Sequence, residues 1–274
     1  MFTQIINLDE CIDRLKKCRQ RCEKSQLEFT RLKASNGLKD LVIKELDQND
    51  KEVSEINVEK LMNKEIALKK NTKYKIFDKN NTELVYKYCL STDKIILKKK
   101  NRQRHLTVGE FGCMLSHLRA VYNVSIGNYD LGLVLEDDVI FADNFKEKCD
   151  LILQHAPKDF GILKLDNTNL KGKKHRTSFL FSVLKYGFNR YFYNSRAELL
   201  HGVSGATGYI ITKQCAQQIV KLLKKETING LEGAADILYY VVLPKKYNFK
   251  NIWIIKKPLL WQNEKESFIT KMGR

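Results

Sequence analysis

The first apolar run, FTQIIN at residues 2–7, has the length and composition of a strand. Over residues 13–28 apolar and small residues then recur at helical spacing, with Lys and Arg on the other face. Residues 29–32 are strand-like again, and Ser35, Asn36 and Gly37 form a turn signal. Alternating strand and helix is how an α/β chain opens. Cys11, Cys18 and Cys22 fall seven and four residues apart, on one helical face, as small core residues.

Residues 38–104 are rich in Lys and Asn with weak periodicity, and the expectation there is an insertion of helix and loop. Thr107 and Glu110 then have the spacing of a capping box. The helix it starts carries Phe111, Met114, Leu115, Leu118, Val121 and Tyr122 as its apolar stripe. Gly109, Cys113, His117 and Ala120 form a neighbouring stripe of mostly small side chains suited to close packing.

Residues 131–135, LGLVL, read as a central strand, and residues 160–165 as another. Over residues 167–200 a basic KGKKHR precedes aromatic residues interleaved with Lys and Arg. That mixture suits a substrate lid, a nucleic-acid stacking platform, an interfacial contact or an ordinary subdomain. GVSGATG leads into a strand at 209–212 and a helix at 213–225. It lacks the Lys-Ser/Thr of a P-loop and reverses the strand, glycine, helix order of a dinucleotide fingerprint. Asp236 stands at the start of a further helix, and NIWIIKKPLLWQN closes the chain as strand. The expected fold is one α/β domain over residues 1–274, a Rossmann-like mixed sheet flanked by helices.

Composition narrows the partners. Lys and Arg number 49 against 32 Asp and Glu, a net charge of +17, which fits an anionic partner or a solvated Lys-rich surface. Seven cysteines, none as Cys-x-x-Cys, exclude a disulfide framework or zinc ribbon and fit a reducing compartment. The N-terminus has no basic segment leading into an apolar one, and no run approaches the roughly 18–20 apolar residues of a membrane span. The expected location is cytoplasmic, with peripheral membrane association.

Three carboxylates, Glu136, Asp137 and Asp138, directly follow the central strand. In open α/β sheets ligands bind beyond the carboxyl ends of the strands. In extended chain Glu136 and Asp138 project to one side and Asp137 to the other. Adjacent anions repel unless they share a cation, and hard oxygen ligands suit Mg²⁺ or Mn²⁺ bearing a substrate diphosphate. A solvated strand end is the other reading of the same residues.

Several segments in order, IINLDE with Arg14, FTRLKASNG, LTVGEFGCMLSHLRA, LVLEDDV, GATGYIIT and KPLLWQN, resemble the lipopolysaccharide-type glycosyltransferases of glycosyltransferase family 25. Residues 38–104 and 167–200 lie outside the resemblance, as an insertion and an acceptor-side loop or subdomain. Two positions depart from the family pattern: Asn36 replaces an acidic residue, and the triplet begins with Glu136 rather than Asp.

The resemblance implies a GT-A-like fold and inverting transfer of a sugar, galactose, from a UDP-sugar to a lipopolysaccharide- or lipooligosaccharide-type glycan. It implies Asp138 and Glu136 as ligands to Mn²⁺ or Mg²⁺, and Asn7, Arg14, Glu136, Asp137, Ser116 and His117 around the nucleotide. Asp236, with Glu232 as the alternative, is the expected base. The basic clusters at residues 98–105 and 171–176 are expected to contact phosphates, and a lipid-linked or phosphorylated acceptor at an anionic membrane is the expected partner. The competing classes are a basic nucleic-acid-binding protein, for which the charge speaks, and a metal-dependent nucleotidyltransferase or phosphohydrolase, which Asp166 near the triplet keeps open.

Overall fold

The computed structural model describes residues 1–89, 106–166, 188–190, 205–224, 243, 249, 251–255 and 258–263. In chain order the elements are β1 (Phe2–Asn7), α1 (Ile12–Lys24), β2 (Thr30–Lys33), β3 (Leu41–Leu46), β4 (Glu52–Glu55), α2 (Val58–Met62), β5 (Lys73–Asp78) and β6 (Asn81–Cys89). Then follow α3 (Val108–Ile126), β7 (Leu131–Glu136), β8 (Val139–Phe141), α4 (Phe145–His155), β9 (Ile162–Lys164), β10 (Phe188–Arg190), β11 (Gly208–Thr212), α5 (Lys213–Lys224), β12 (Ile252–Ile255) and β13 (Leu260–Gln262).

Seven strands make one mixed sheet in the order β10-β12-β9-β11-β7-β1-β2. β1 pairs in parallel with both β2 and β7, whereas β11 runs antiparallel to β7 and β9. The carboxyl ends of β1, β7 and β9 therefore lie on one edge, and β7 is central as its unbroken apolar run predicts.

The period of two along each strand divides the interior into two cores. Ile6, Val134, Tyr209, Ile211 and Ile162 pack with α3 and α5 on one face. Their neighbours Ile5, Leu133, Ile210 and Leu163 pack with Cys18, Cys22, Phe145 and Cys149 of α1 and α4 on the other. This is the helix-flanked mixed sheet that the sequence predicts. Cys18 and Cys22 are the small core residues expected, and helix α1 ends earlier than read, at Lys24.

Residues 41–89 correct the sequence reading. Where helix and loop were expected, β3 to β6 form an antiparallel sheet in the order β4-β3-β5-β6, with only the short α2 as helix. Tyr74, Ile76, Tyr86 and Tyr88 point into the core that α3 covers. Four of the outward positions hold lysines: Lys44 and Lys75 pair with Glu52 of β4, and Lys73 and Lys87 with Asp50 in the turn before it. The lysines among the outward positions hid a period-two pattern inside what composition alone reads as solvated coil.

Helix α3 carries the capping box as predicted: Thr107 Oγ1 accepts from Glu110 N at 3.2 Å, and Glu110 Oε2 accepts from Thr107 N at 2.9 Å. Its first turns pack directly on the loop after β2. A Cβ at Gly112 would stand 2.6 Å from Ser35 O and 2.9 Å from Gly37 N, both backbone atoms that cannot swing aside. Gly112→Ala is expected to destabilise by about 1–3 kcal/mol through overpacking, read from urea midpoints. A loss below a few tenths of a kcal/mol would show that helix and loop can separate freely.

Candidate active site

The triplet sits where the chain turns from β7 into β8, and each carboxylate has a different environment. Asp137 is the structural member. Its carboxylate accepts from Asn7 Nδ2 at 2.7 Å and pairs with the Arg14 guanidinium, while its backbone carbonyl accepts from Arg21 Nη2 at 3.0 Å. Asn7 is fixed in turn, donating to Cys11 O and accepting from Arg31 Nε. Burial pushes the Asp137 carboxyl above its ordinary range, with Arg14 and Asn7 opposing the shift. Asp137 thus ties the ends of β1 and β7 to the first turn of α1.

Glu136 and Asp138 converge on one donor. Gln262 Nε2, at the end of β13, lies 3.4 Å from Glu136 Oε2 and 3.3 Å from Asp138 Oδ2. Asp138 is 1% exposed, and its Oδ1 finds no hydrogen-bond partner among the described residues. Burial first, and then the charges of Glu136 and Asp137, push its carboxyl up to about 8 despite Arg14 at 3.5 Å. A buried carboxylate with an orphaned oxygen beside a second carboxylate fits a hard divalent cation, which would reverse the repulsion raising that pKa.

Helix α3 builds the opposite wall. His117 is fully buried, with Nδ1 3.2 Å from the Tyr209 hydroxyl and Nε2 3.3 Å from Glu136 Oε1. Ser116 Oγ donates to Gly112 O at 2.7 Å and accepts from Ser35 N at 2.9 Å, so it fastens the β2 loop to the helix. Asn36 is a turn former: its Oδ1 accepts from Leu38 N and Lys39 N.

Between these walls lies a cleft lined by Arg14, Ser35, Gly37, His117, Glu136, Asp138 and Gln262, among others. Its empty space, counted out to the open mouth, is about 620 Å³. Beyond it, Lys164 Nζ, fully buried, pairs with Asp166 Oδ1 at 2.5 Å and donates to Gly205 O at 2.6 Å. Burial raises the Asp166 carboxyl against the pull of Lys164.

Asn7, Arg14, Ser116, His117, Glu136, Asp137 and Asp138 are thus brought to one place from β1, α1, α3 and the β7–β8 turn. Asp236 and Glu232, the basic clusters at 98–105 and 171–176, and all of residues 167–200 except the short β10 lie outside the described residues. Sequence reasoning did not single out Gln262 or Cys113 as site residues. Gln262 had its signal in the closing KPLLWQN motif, and Cys113 in its four-residue spacing from His117.

Among known proteins, the family model for glycosyltransferase family 25 (LPS biosynthesis protein) matches residues 1–237. No curated protein sequence matches the chain. Two solved structures of LgtC align at 12% identity, each over 88% of this chain and 70% of that chain. One, of an active-site mutant, has a TM-score of 0.38. The other, of the galactosyltransferase in complex with donor and acceptor sugar analogs, has a TM-score of 0.34. No described helix is long and apolar enough to cross a membrane.

Proposed function

We infer that this chain, which belongs to glycosyltransferase family 25, moves galactose from UDP-galactose to a lipopolysaccharide-type glycan, with inversion and with the help of a divalent metal. Family membership favours glycosyl transfer over nucleic-acid binding or nucleotidyl transfer. The observation that supports the metal in this reading is Asp138, buried beside Glu136 with an orphaned oxygen at the carboxyl edge of the sheet.

In this reading Asp138 and Glu136 hold Mn²⁺ or Mg²⁺, with Gln262 keeping the two carboxylates in register. When bound, the ion neutralises charge on the departing diphosphate. Arg14 and Asn7 hold the β7–β8 turn through Asp137, so the carboxylates meet the donor without rearranging. His117, held by Tyr209, orients Glu136 from the α3 wall. Inversion takes a single displacement, so a base must receive the proton of the acceptor hydroxyl. Asp236, or failing it Glu232, is assigned that proton. The charge of +17 suits an acidic, lipid-linked or phosphorylated acceptor at an anionic membrane surface on the cytoplasmic side.

The test is UDP release from a panel of UDP-sugars, with and without Mn²⁺. Metal-dependent release from UDP-galactose above all other donors is the expected result. Equal release with chelator present would remove the metal from the reading, and preference for another donor would replace the sugar.

A further inference from the structure

Among the described residues, Cys113, His117 and Glu136 bring a sulfur, a ring nitrogen and a carboxylate oxygen within 4.8 Å of one another. Cys113 and His117 stand four residues apart on α3, hence on one face, and Glu136 meets them from the end of β7. All three line the cleft, and Cys113 is only half-buried, so an ion entering from solvent can reach the sulfur.

The hydrogen bonding prepares the set. The Tyr209 hydroxyl lies 3.2 Å from His117 Nδ1, and the two rings stack with centroids 5.8 Å apart. When that hydroxyl accepts from Nδ1–H, the Nε2 lone pair faces Glu136 Oε1 at 3.3 Å. In the other tautomer Nε2–H donates to Glu136 Oε1 and orients it, and an entering ion takes that place once the ring proton sits on Nδ1. An outer partner on one ring nitrogen that frees the other is the usual support of a metal-binding histidine. Glu136 has an oxygen for each side, Oε1 towards His117 and Oε2 towards Gln262 and Asp138.

We propose that Cys113, His117 and Glu136 form a site for a thiophilic divalent metal of the Zn²⁺ and Co²⁺ class, in the α3 wall of the cleft and sharing Glu136 with the hard-cation position at Asp138. Sulfur and imidazole select such ions over Mg²⁺ or Mn²⁺. Three protein ligands leave a fourth tetrahedral position open towards the cleft. Binding releases the Cys113 thiol proton to solvent and changes no oxidation state. The site does not depend on the transferase reading. One consequence does rest on it: an ion held here engages Glu136, so Zn²⁺ inhibits Mn²⁺-dependent transfer.

The test is Co²⁺ titration of the full chain after chelator treatment, read by absorption and independent of any sugar donor. The expected result is a thiolate-to-cobalt charge-transfer band with tetrahedral visible bands, complete at one equivalent and displaced by Zn²⁺. Both are lost in Cys113→Ser and retained in Asp138→Asn. No charge-transfer band at one equivalent, or its persistence in Cys113→Ser, overturns the proposal; persistence would move the ion to another thiol such as the Cys18 and Cys22 pair. Alkylation of the wild-type chain, read peptide by peptide, asks the same question without a variant. One equivalent of Zn²⁺ must protect Cys113, and unchanged labelling of Cys113 overturns the proposal.

Discussion

Asp138→Asn lowers donor-dependent UDP release by about 10²–10³-fold, the cost of removing one preorganised electrostatic contact to a developing charge, and leaves the chain folded. The amide keeps the shape and can still accept from Gln262, but it removes the carboxylate whose Oδ1 is orphaned in the fold. Turnover close to wild type would take Asp138 out of the metal site.

The same substitution changes the pH dependence of the metal-free protein. The Asp138 carboxyl is raised from 3.8 to about 8 in the fold. Between those values the native state holds a proton that the unfolded chain has released, so stability falls as pH rises through this window. Burial raises Asp137 and Asp166 in the same sense. At about 1.4 kcal/mol per pKa unit, the Asp138 contribution amounts to a few kcal/mol, fully present below the window. Denaturation midpoints of metal-free wild type should therefore decline from pH 5.5 to pH 8, and Asp138→Asn should flatten that decline. A parallel decline in both proteins would assign it to other groups.

Arg14→Leu is the second large effect, and it falls on stability. Arg14 is the ion-pair partner of Asp137, whose side chain is only 6% exposed. Breaking a buried pair from one side strands the other charge at a cost of about 3–5 kcal/mol. Asn7 continues to donate to Asp137, which puts the expected value at the lower end. The measurement is the urea midpoint of Arg14→Leu, Asp137→Asn and the double variant. The double variant should lose less than the sum of the singles, because the stranded charge is then gone. Strict additivity would mean that the pair does not act as a unit. On these two expected results Asp137 would support the fold and Asp138 the proposed chemistry, although the two are adjacent in sequence.

Much of the fold around the triplet was legible in the sequence. The apolar run at 131–135 reads as a central strand because it is short and carries no polar alternation, and β7 is that strand. The capping box at Thr107 and Glu110 is a local device of four residues and appears as read. The sheet over residues 41–89 was not legible, because its outward lysines outweighed the inward tyrosines in any composition-based reading. The second glycine of the GEFGC motif was legible as a pattern, but its cause, the backbone of Ser35 and Gly37 pressed against it, comes from a different part of the chain.

Local order thus determined the period of each strand and helix, the start of α3 and the position of three carboxylates after a buried strand, since each depends on neighbours within a few residues. Which carboxylate is structural and which is open to a ligand was decided only when β1, α1 and β13 arrived. Asn7 and Arg14 take up Asp137, and Gln262 reaches Glu136 and Asp138 across more than 120 residues of chain. The pairing of Cys113 and His117 with Glu136 is of the same kind: half of it is helical spacing, and the other half exists only because α3 packs on the end of β7.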